Sequence, residues 1–197
     1  MSALTSIKLA SIVISLNEYR KSIVRAVLRR EGVIAYPTEG VWGLGCLPGS
    51  RKAVMHLLRL KKRSWRQGLL IVAGNIDQFS DFLDGLAENL RQELEESWPG
   101  PVTYLVPHKE RAPSWIVGDH ATVGLRVTNH PLVQELCSIE GPLVSTSANI
   151  SSEPSAMSAV EVRRYFRDRI DYLVPGDLGS LGGPSEIRML ATGEVLR

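Results

Sequence analysis

Two hydrophobic periods alternate along this chain. From Asn17 to Arg30, Ile23, Val24, Val27 and Leu28 recur at helical spacing while Arg20, Lys21, Arg25 and Arg29 fall on other faces, and Glu31-Gly32 supplies a stop. GVIAYP, from Gly32, then reads as a buried strand ending at Pro37. Ser50 is placed to cap a second helix carrying Val54, Leu57 and Leu58. LLIVA from Leu69, VTYLVP from Val102 and TVGLRV from Thr122 read as strands, and residues 77–86 and 88–98 as one or two helices between them. Pro131 opens a helix through Leu136, PLVSTSA returns as a strand, and Ser158 caps a helix with Val160, Val162 and Phe166. DYLVP, SEIRML and EVLR read as late, short strands, and the Gly-rich stretch 176–184 as a loop that can gate a site.

Strands slightly outnumber helices, and several follow one another with no helix between. The pattern predicts an α/β or α+β fold with an open, twisted, mixed sheet and flanking helices. With 197 residues and no low-complexity linker or repeat, one domain over 1–197 is expected. Two distant cysteines, Cys46 and Cys137, read as buried free thiols of a reducing compartment. The N-terminal apolar stretch is broken by Lys8 and Ser11, too short to span a bilayer and unlike a signal peptide. A cytoplasmic protein with no membrane contact is expected.

Net charge is only +2, but its distribution is uneven. No acidic residue occurs from Gly40 to Ile76, while Arg51, Lys52, Arg59, Lys61, Lys62, Arg63 and Arg66 crowd one stretch. Such a block creates a local positive potential or simply forms a solvated helix face. The histidines His56, His108, His120 and His130 lie outside any metal-ligand spacing, so no protein-held metal is expected. Walker A, GxGxxG and GxSxG patterns are absent from the sequence.

Three polar clusters stand at predicted strand ends, where α/β sheets place ligands. YPTEGVWGLGC reads as a Gly-containing turn that exposes Thr38; LKKRSWRQG aims Lys61 and Arg63 toward one cleft; VSTSAN offers Ser145, Thr146, Ser147 and Asn149 to oxyanions. With Arg126 on another strand, they point to a site for an anionic small molecule. Arg126, between Leu125 and Val127, is expected to point opposite to both.

YPTEGVWGLG, the KxR pair, WPGPVT at Trp98–Thr103, GLRVTNHP at Gly124–Pro131, STSAN and PSEIR at Pro184–Arg188 occur in an order that resembles the YrdC/TsaC family, in its short single-domain branch. The resemblance implies an open α/β sheet around a large basic cavity. It implies an enzyme, a nucleotidyltransferase that makes threonylcarbamoyl-AMP from L-threonine, bicarbonate or CO2, and ATP, with Mg2+ accompanying the ATP. Downstream proteins would carry the threonylcarbamoyl group to tRNA, itself at most a weak partner. Residue by residue, it assigns Lys61, Arg63, Ser147 and Asn149 to the catalytic, ATP-binding side, with Ser155 and Arg197. It assigns Thr38, Arg126, Ser145 and Ser185 to threonine. The sequence departs from the family pattern at Gly40, Ser64 and Gln67. The competing reading is an RNA-binding or ribosome-maturation factor using the basic cavity without catalysis; sparse aromatics, 6% of residues, weigh against it.

Overall fold

The structure, a computed structural model, describes residues 15–197. The reading of the N-terminal stretch therefore lies largely outside the described residues. Seven α-helices are present among them: α1 Glu18–Arg29, α2 Arg51–Lys61, α3 Ser80–Leu83, α4 Glu88–Ser97, α5 Ser114–Val117, α6 Pro131–Glu140 and α7 Ala159–Phe166. Eight strands form one sheet: β1 Ile34–Pro37, β2 Trp42–Cys46, β3 Leu70–Ala73, β4 Val102–Pro107, β5 Thr122–Val127, β6 Leu143–Ser147, β7 Tyr172–Leu173 and β8 Glu186–Met189. Their spatial order is β7-β1-β2-β6-β3-β5-β4-β8. The β1/β7, β3/β5 and β4/β8 pairs are parallel and the other four antiparallel, the mixed sheet that the pattern predicts.

Local chemistry starts the helices where it should. The Asn17 side chain accepts from the Arg20 N–H, Ser50 from Ala53 and Ser158 from Glu161, each satisfying an orphan donor of a first turn. Pro131 sits at the start of α6, where its missing N–H costs nothing. α6 runs on to Glu140, four residues beyond the predicted Leu136.

Two predictions are corrected. Trp42–Cys46 is a strand, not a Gly-containing turn. Glycine is a poor strand former, but a Cβ on Gly45 would meet the Tyr36 ring at 2.8 Å and the Val144 carbonyl at 2.7 Å. Packing thus requires the glycine that hides the strand from propensity. EVLR is not a regular strand: it makes a single antiparallel bridge, Val195 to Arg188, and folds back along β8 through the Leu196–Ile187, Ile187–Arg197 and Met189–Glu194 backbone hydrogen bonds.

The two faces of the sheet are covered unequally. One face lies under α2, α3, α4, α5 and α7, whose Leu57, Leu83, Leu94, Ile116 and Phe166 pack with Ala35, Leu44, Ile71, Tyr104, Leu125 and Val144. The opposite face is covered over part of its extent by α1 and α6. There Val24, Leu28, Val133 and Leu136 bury Ile34, Tyr36, Val72 and Leu143. Ion pairs tie these helices together: Lys21 to Glu135, and Arg25 and Arg29 to Glu140. Such exposed pairs add little stability. The apolar area beneath them does the holding, at roughly 25 cal/mol per Å². No helix among the described residues is long and apolar enough to cross a membrane.

Candidate active site

Where α1 and α6 stop, the same sheet face floors a cavity of about 400 Å³. Strand alternation decides what reaches it. On β6, Leu143 is under the helices, while Ser145 and Ser147 border the cavity. On β5, Gly124 and Arg126 border it, and Leu125 and Val127 face the other core, as the pattern predicts. Thr38 enters from the β1–β2 turn, Arg63 from the end of α2, and Ser155 from the segment before α7. Ser185 and Arg197 close the side next to β8.

The structure does not bring Lys61 and Asn149 into this lining. Lys61 is only 2% exposed. Its Nζ donates to the Ser147 carbonyl, and to the Asn149 carbonyl at 3.0 Å and Oδ1 at 2.9 Å. Ser147 Oγ donates to the same Asn149 Oδ1 at 2.7 Å. Lys61 thus fastens the STSAN turn from behind, and Ser147 presents that turn to the cavity. The reason is local: Lys62 takes a left-handed conformation (φ 52°) that ends α2. Lys61 points back into the fold, Lys62 out to solvent and Arg63 to the cavity. Burial, with the nearby Arg63 charge, pushes the Lys61 pKa down to about 7. Its three carbonyl acceptors act the other way, favouring the ammonium.

Three arginines converge on the cavity. Arg63 donates to the Gly68 carbonyl at 3.0 Å, and its Nε is buried without a partner. Arg197 stands at the mouth and donates to the Ser185 carbonyl at 3.0 and 3.2 Å. Burial, then Arg197, lowers the Arg63 pKa from its ordinary value; burial, then Arg126, lowers that of Arg197. The three cations therefore repel one another through poorly solvated space, and an anion among them relieves that repulsion. Neither Arg63 nor Arg197 has a carboxylate partner among the described residues.

Arg126 has one. Its Nη2 meets Glu39 Oε2 at 3.3 Å, and its Nε is buried without a partner. Glu39 also accepts from Thr128 Oγ1 at 2.6 Å and the Asn129 N–H at 3.1 Å. Burial alone would raise the Glu39 pKa; Arg126 and these hydrogen bonds outweigh it and hold the carboxyl below its ordinary value. Sequence reasoning missed Glu39 as a partner of Arg126. Its signal is an acid at the end of a fully buried strand, in a stretch otherwise turning basic.

The Gly-rich loop is pinned to the same turn. Gly179 and Leu181 donate their N–H groups to the Thr38 and Glu39 carbonyls, both at 2.9 Å. A Cβ on Gly40 would stand 1.8 Å from the Gly183 carbonyl, so the close approach of this loop requires glycine there. Thr38 spends its proton on the Val41 carbonyl at 2.7 Å, leaving its lone pairs. Ser145 accepts from the Tyr36 hydroxyl at 3.0 Å and keeps its own proton to give.

The arrangement offers an anion two cationic ends with hydroxyls between them. Residues 26–197 match the family model for Sua5, YciO and YrdC proteins, described as "Telomere recombination". The chain belongs to this family. Among curated Sua5/YciO/YrdC relatives, the threonylcarbamoyl-AMP synthase of Pseudomonas aeruginosa (strain UCBPP-PA14) is 49% identical over 182 residues, covering 92% of this chain and 98% of that one. The Stutzerimonas stutzeri (strain A1501) protein of the same name is 49% identical over the same coverage. Among solved structures, P. abyssi Sua5 complexed with L-threonine gives a TM-score of 0.86 at 29% identity, covering 93% of this chain and 55% of that one. The chain thus spans about half the length of that Sua5. E. coli YciO shares the fold, with a TM-score of 0.79 at 23% identity over 93% of this chain and 90% of that one.

Proposed function

We infer that this chain is a threonylcarbamoyl-AMP synthase, joining L-threonine, bicarbonate or CO2, and ATP into threonylcarbamoyl-adenylate with release of pyrophosphate. One observation carries the reading: three arginines converge on a hydroxyl-lined cavity that, among the described residues, no Asp or Glu side chain borders. The threonine carboxylate, the carbamate and the triphosphate all carry negative charge at neutral pH, and each finds a matching end.

Arg126 takes the threonine carboxylate through the guanidinium edge that Glu39 leaves free. Thr38, Ser145 and Ser185 surround that end. The threonine amine attacks CO2 and loses a proton, giving a carbamate. A carbamate oxygen then attacks the α-phosphorus of ATP, and pyrophosphate leaves with the electrons of the broken P–O bond. Phosphoryl-type transfer asks the protein for positioning and charge neutralisation more than for a nucleophile. Arg63 and Arg197 supply the charge on the nucleotide side, with Ser147 and Ser155 orienting oxygens. Lys61 and Asn149 act there by holding the STSAN turn in place. Magnesium belongs to the ATP substrate in this reading, since the cavity border offers no acidic cage of its own.

Residues 1–197 act as one YrdC-like domain in the cytoplasm, in the first step of tRNA threonylcarbamoyladenosine modification. The product passes to proteins that transfer the threonylcarbamoyl group to tRNA, and tRNA itself binds this chain weakly. The test is pyrophosphate release with each substrate omitted in turn. Release should require ATP, threonine and bicarbonate together, with no RNA added. Release without threonine points to another nucleotide hydrolase. No release, with tight salt-sensitive RNA binding, favours the non-catalytic RNA-binding reading.

A further inference from the structure

Next to Arg126, the cavity holds a hydroxyl pair. Thr103 Oγ1 and Ser185 Oγ lie 3.1 Å apart, and both residues are buried and border the cavity. Two hydroxyls carry two protons, and their mutual hydrogen bond uses one. No other hydrogen bond is present on either oxygen among the described residues. One O–H is therefore left to give, and lone pairs to accept, beside the open space. A hydroxyl with an unspent proton at a cavity wall is free to bond water or a ligand that enters.

The sheet register fixes what stands around the pair. On β4 and β5, Tyr104 faces Leu125 and Leu105 faces Gly124, so the next step sets Thr103 beside Arg126 on the cavity face. On the other side Thr103 pairs with Ile187 of β8. Leu105, two residues along β4, points the same way, and both Leu105 and Ile187 border the cavity. A neutral donor-acceptor pair thus sits between a carboxylate-binding arginine and two aliphatic side chains.

An alcohol both donates and accepts, as the pair does; a carboxylate or a phosphate only accepts. Threonine carries a hydroxyl and a methyl on one carbon, next to the carbon bearing its carboxylate. We propose that the Thr103–Ser185 pair, walled by Leu105 and Ile187, is the subsite that reads the substrate's side chain, the pair taking its hydroxyl and the aliphatic wall its methyl. This rests on the amino-acid substrate inferred above. It adds Thr103 as a specificity-determining residue and gives Ser185 its partner.

The experiment measures kcat/KM for threonine, for 2-aminobutyrate, which lacks the hydroxyl, and for serine, which lacks the methyl, by pyrophosphate release. Thr103→Val keeps the shape and removes the hydroxyl. The preference for threonine over 2-aminobutyrate should fall about 100-fold, because the variant no longer senses the group in which the two differ. Thr103→Ser, which restores a hydroxyl, should restore most of that preference. Ile187→Ala should instead relax the preference for threonine over serine by about 10-fold. A Thr103→Val variant that loses activity on threonine and 2-aminobutyrate equally overturns the proposal, for the pair would then hold a group common to both. An unchanged preference in a variant with wild-type circular dichroism overturns it as well. A wild-type chain that releases no pyrophosphate with threonine fails earlier, on the function rather than on Thr103.

Discussion

One sheet face of this protein carries two regions built from the same strands. At one end of β6 and β3, Leu143 and Val72 are sealed under α1 and α6. Two residues away, later on β6 and earlier on β3, Ser145 and Leu70 border an open cavity. Nothing in the strand geometry separates the two regions; the pleat is continuous, and the side chains alternate in the same way. The difference is the cover. Where helices end, the face turns from aliphatic to hydroxyl, glycine and arginine, and chemistry begins at that edge. The covered half provides rigidity, and the open half uses it to hold charged groups apart.

The largest effect should come from writing the open half's chemistry into the covered half. Leu143→Ser extends the Ser145, Ser147 series by one step beneath α6. It removes an aliphatic chain with no exposed surface and buries a hydroxyl in an aliphatic cluster. The cost should be about 4 kcal/mol, combining lost packing with an unsatisfied polar group. Urea unfolding measures it. Activity per folded molecule should stay near wild type, since Leu143 does not border the cavity. A loss below about 1 kcal/mol would mean that the cover contributes little there.

The covered half was the more legible in the sequence. Val24 and Leu28 announce their face by spacing, and Pro131 marks a helix start by chemistry that needs no tertiary partner. The open half was legible as residue types at strand ends for Thr38, Arg63, Arg126, Ser145 and Ser147, and only through the family resemblance for Ser155, Ser185 and Arg197; all eight border one cavity. It was illegible where tertiary contact decides. The β2 glycines look like a turn until Tyr36 packs on Gly45. Lys61 looks like one member of an exposed basic run until a single left-handed residue turns it inward. Glu39 looks like a surface acid until Arg126 arrives from a strand far along the chain.

Next in size is a change confined to the open half. Arg126→Lys keeps the positive charge and the partner Glu39 but removes the planar fork. Threonine kcat/KM should fall about 100-fold, equivalent to about 2.7 kcal/mol, with most of the loss in KM for threonine. KM for ATP should change little, because Arg63 and Arg197 face the nucleotide side. Unfolding free energy should move by less than about 1 kcal/mol. Loss shared equally between the two substrates would dissolve the proposed division of the cavity into two cationic ends.

The smallest effect belongs to Lys61, which is buried like the covered half yet serves the open one. Its folded pKa, pushed to about 7, lies well below its ordinary value of 10.5. Between those values the unfolded chain binds more protons at this site than the folded one, so stability rises with pH across the window and falls as pH drops back toward 7. Each unit of separation is worth about 1.4 kcal/mol, but the carbonyls on Nζ favour the charged form and shrink the net gain. Wild type should therefore gain about 1.5 kcal/mol between pH 7 and 9 relative to Lys61→Met, which has no proton to lose. Paired urea titrations at the two pH values read this difference, and other titrating groups cancel in the comparison. A flat difference would mean that the three carbonyls outweigh burial and keep Lys61 charged throughout, making the STSAN turn a cation-bound structure at every working pH. A gain as large as expected would mean that the turn's fastening weakens just above neutrality, and threonine turnover should then decline over the same window.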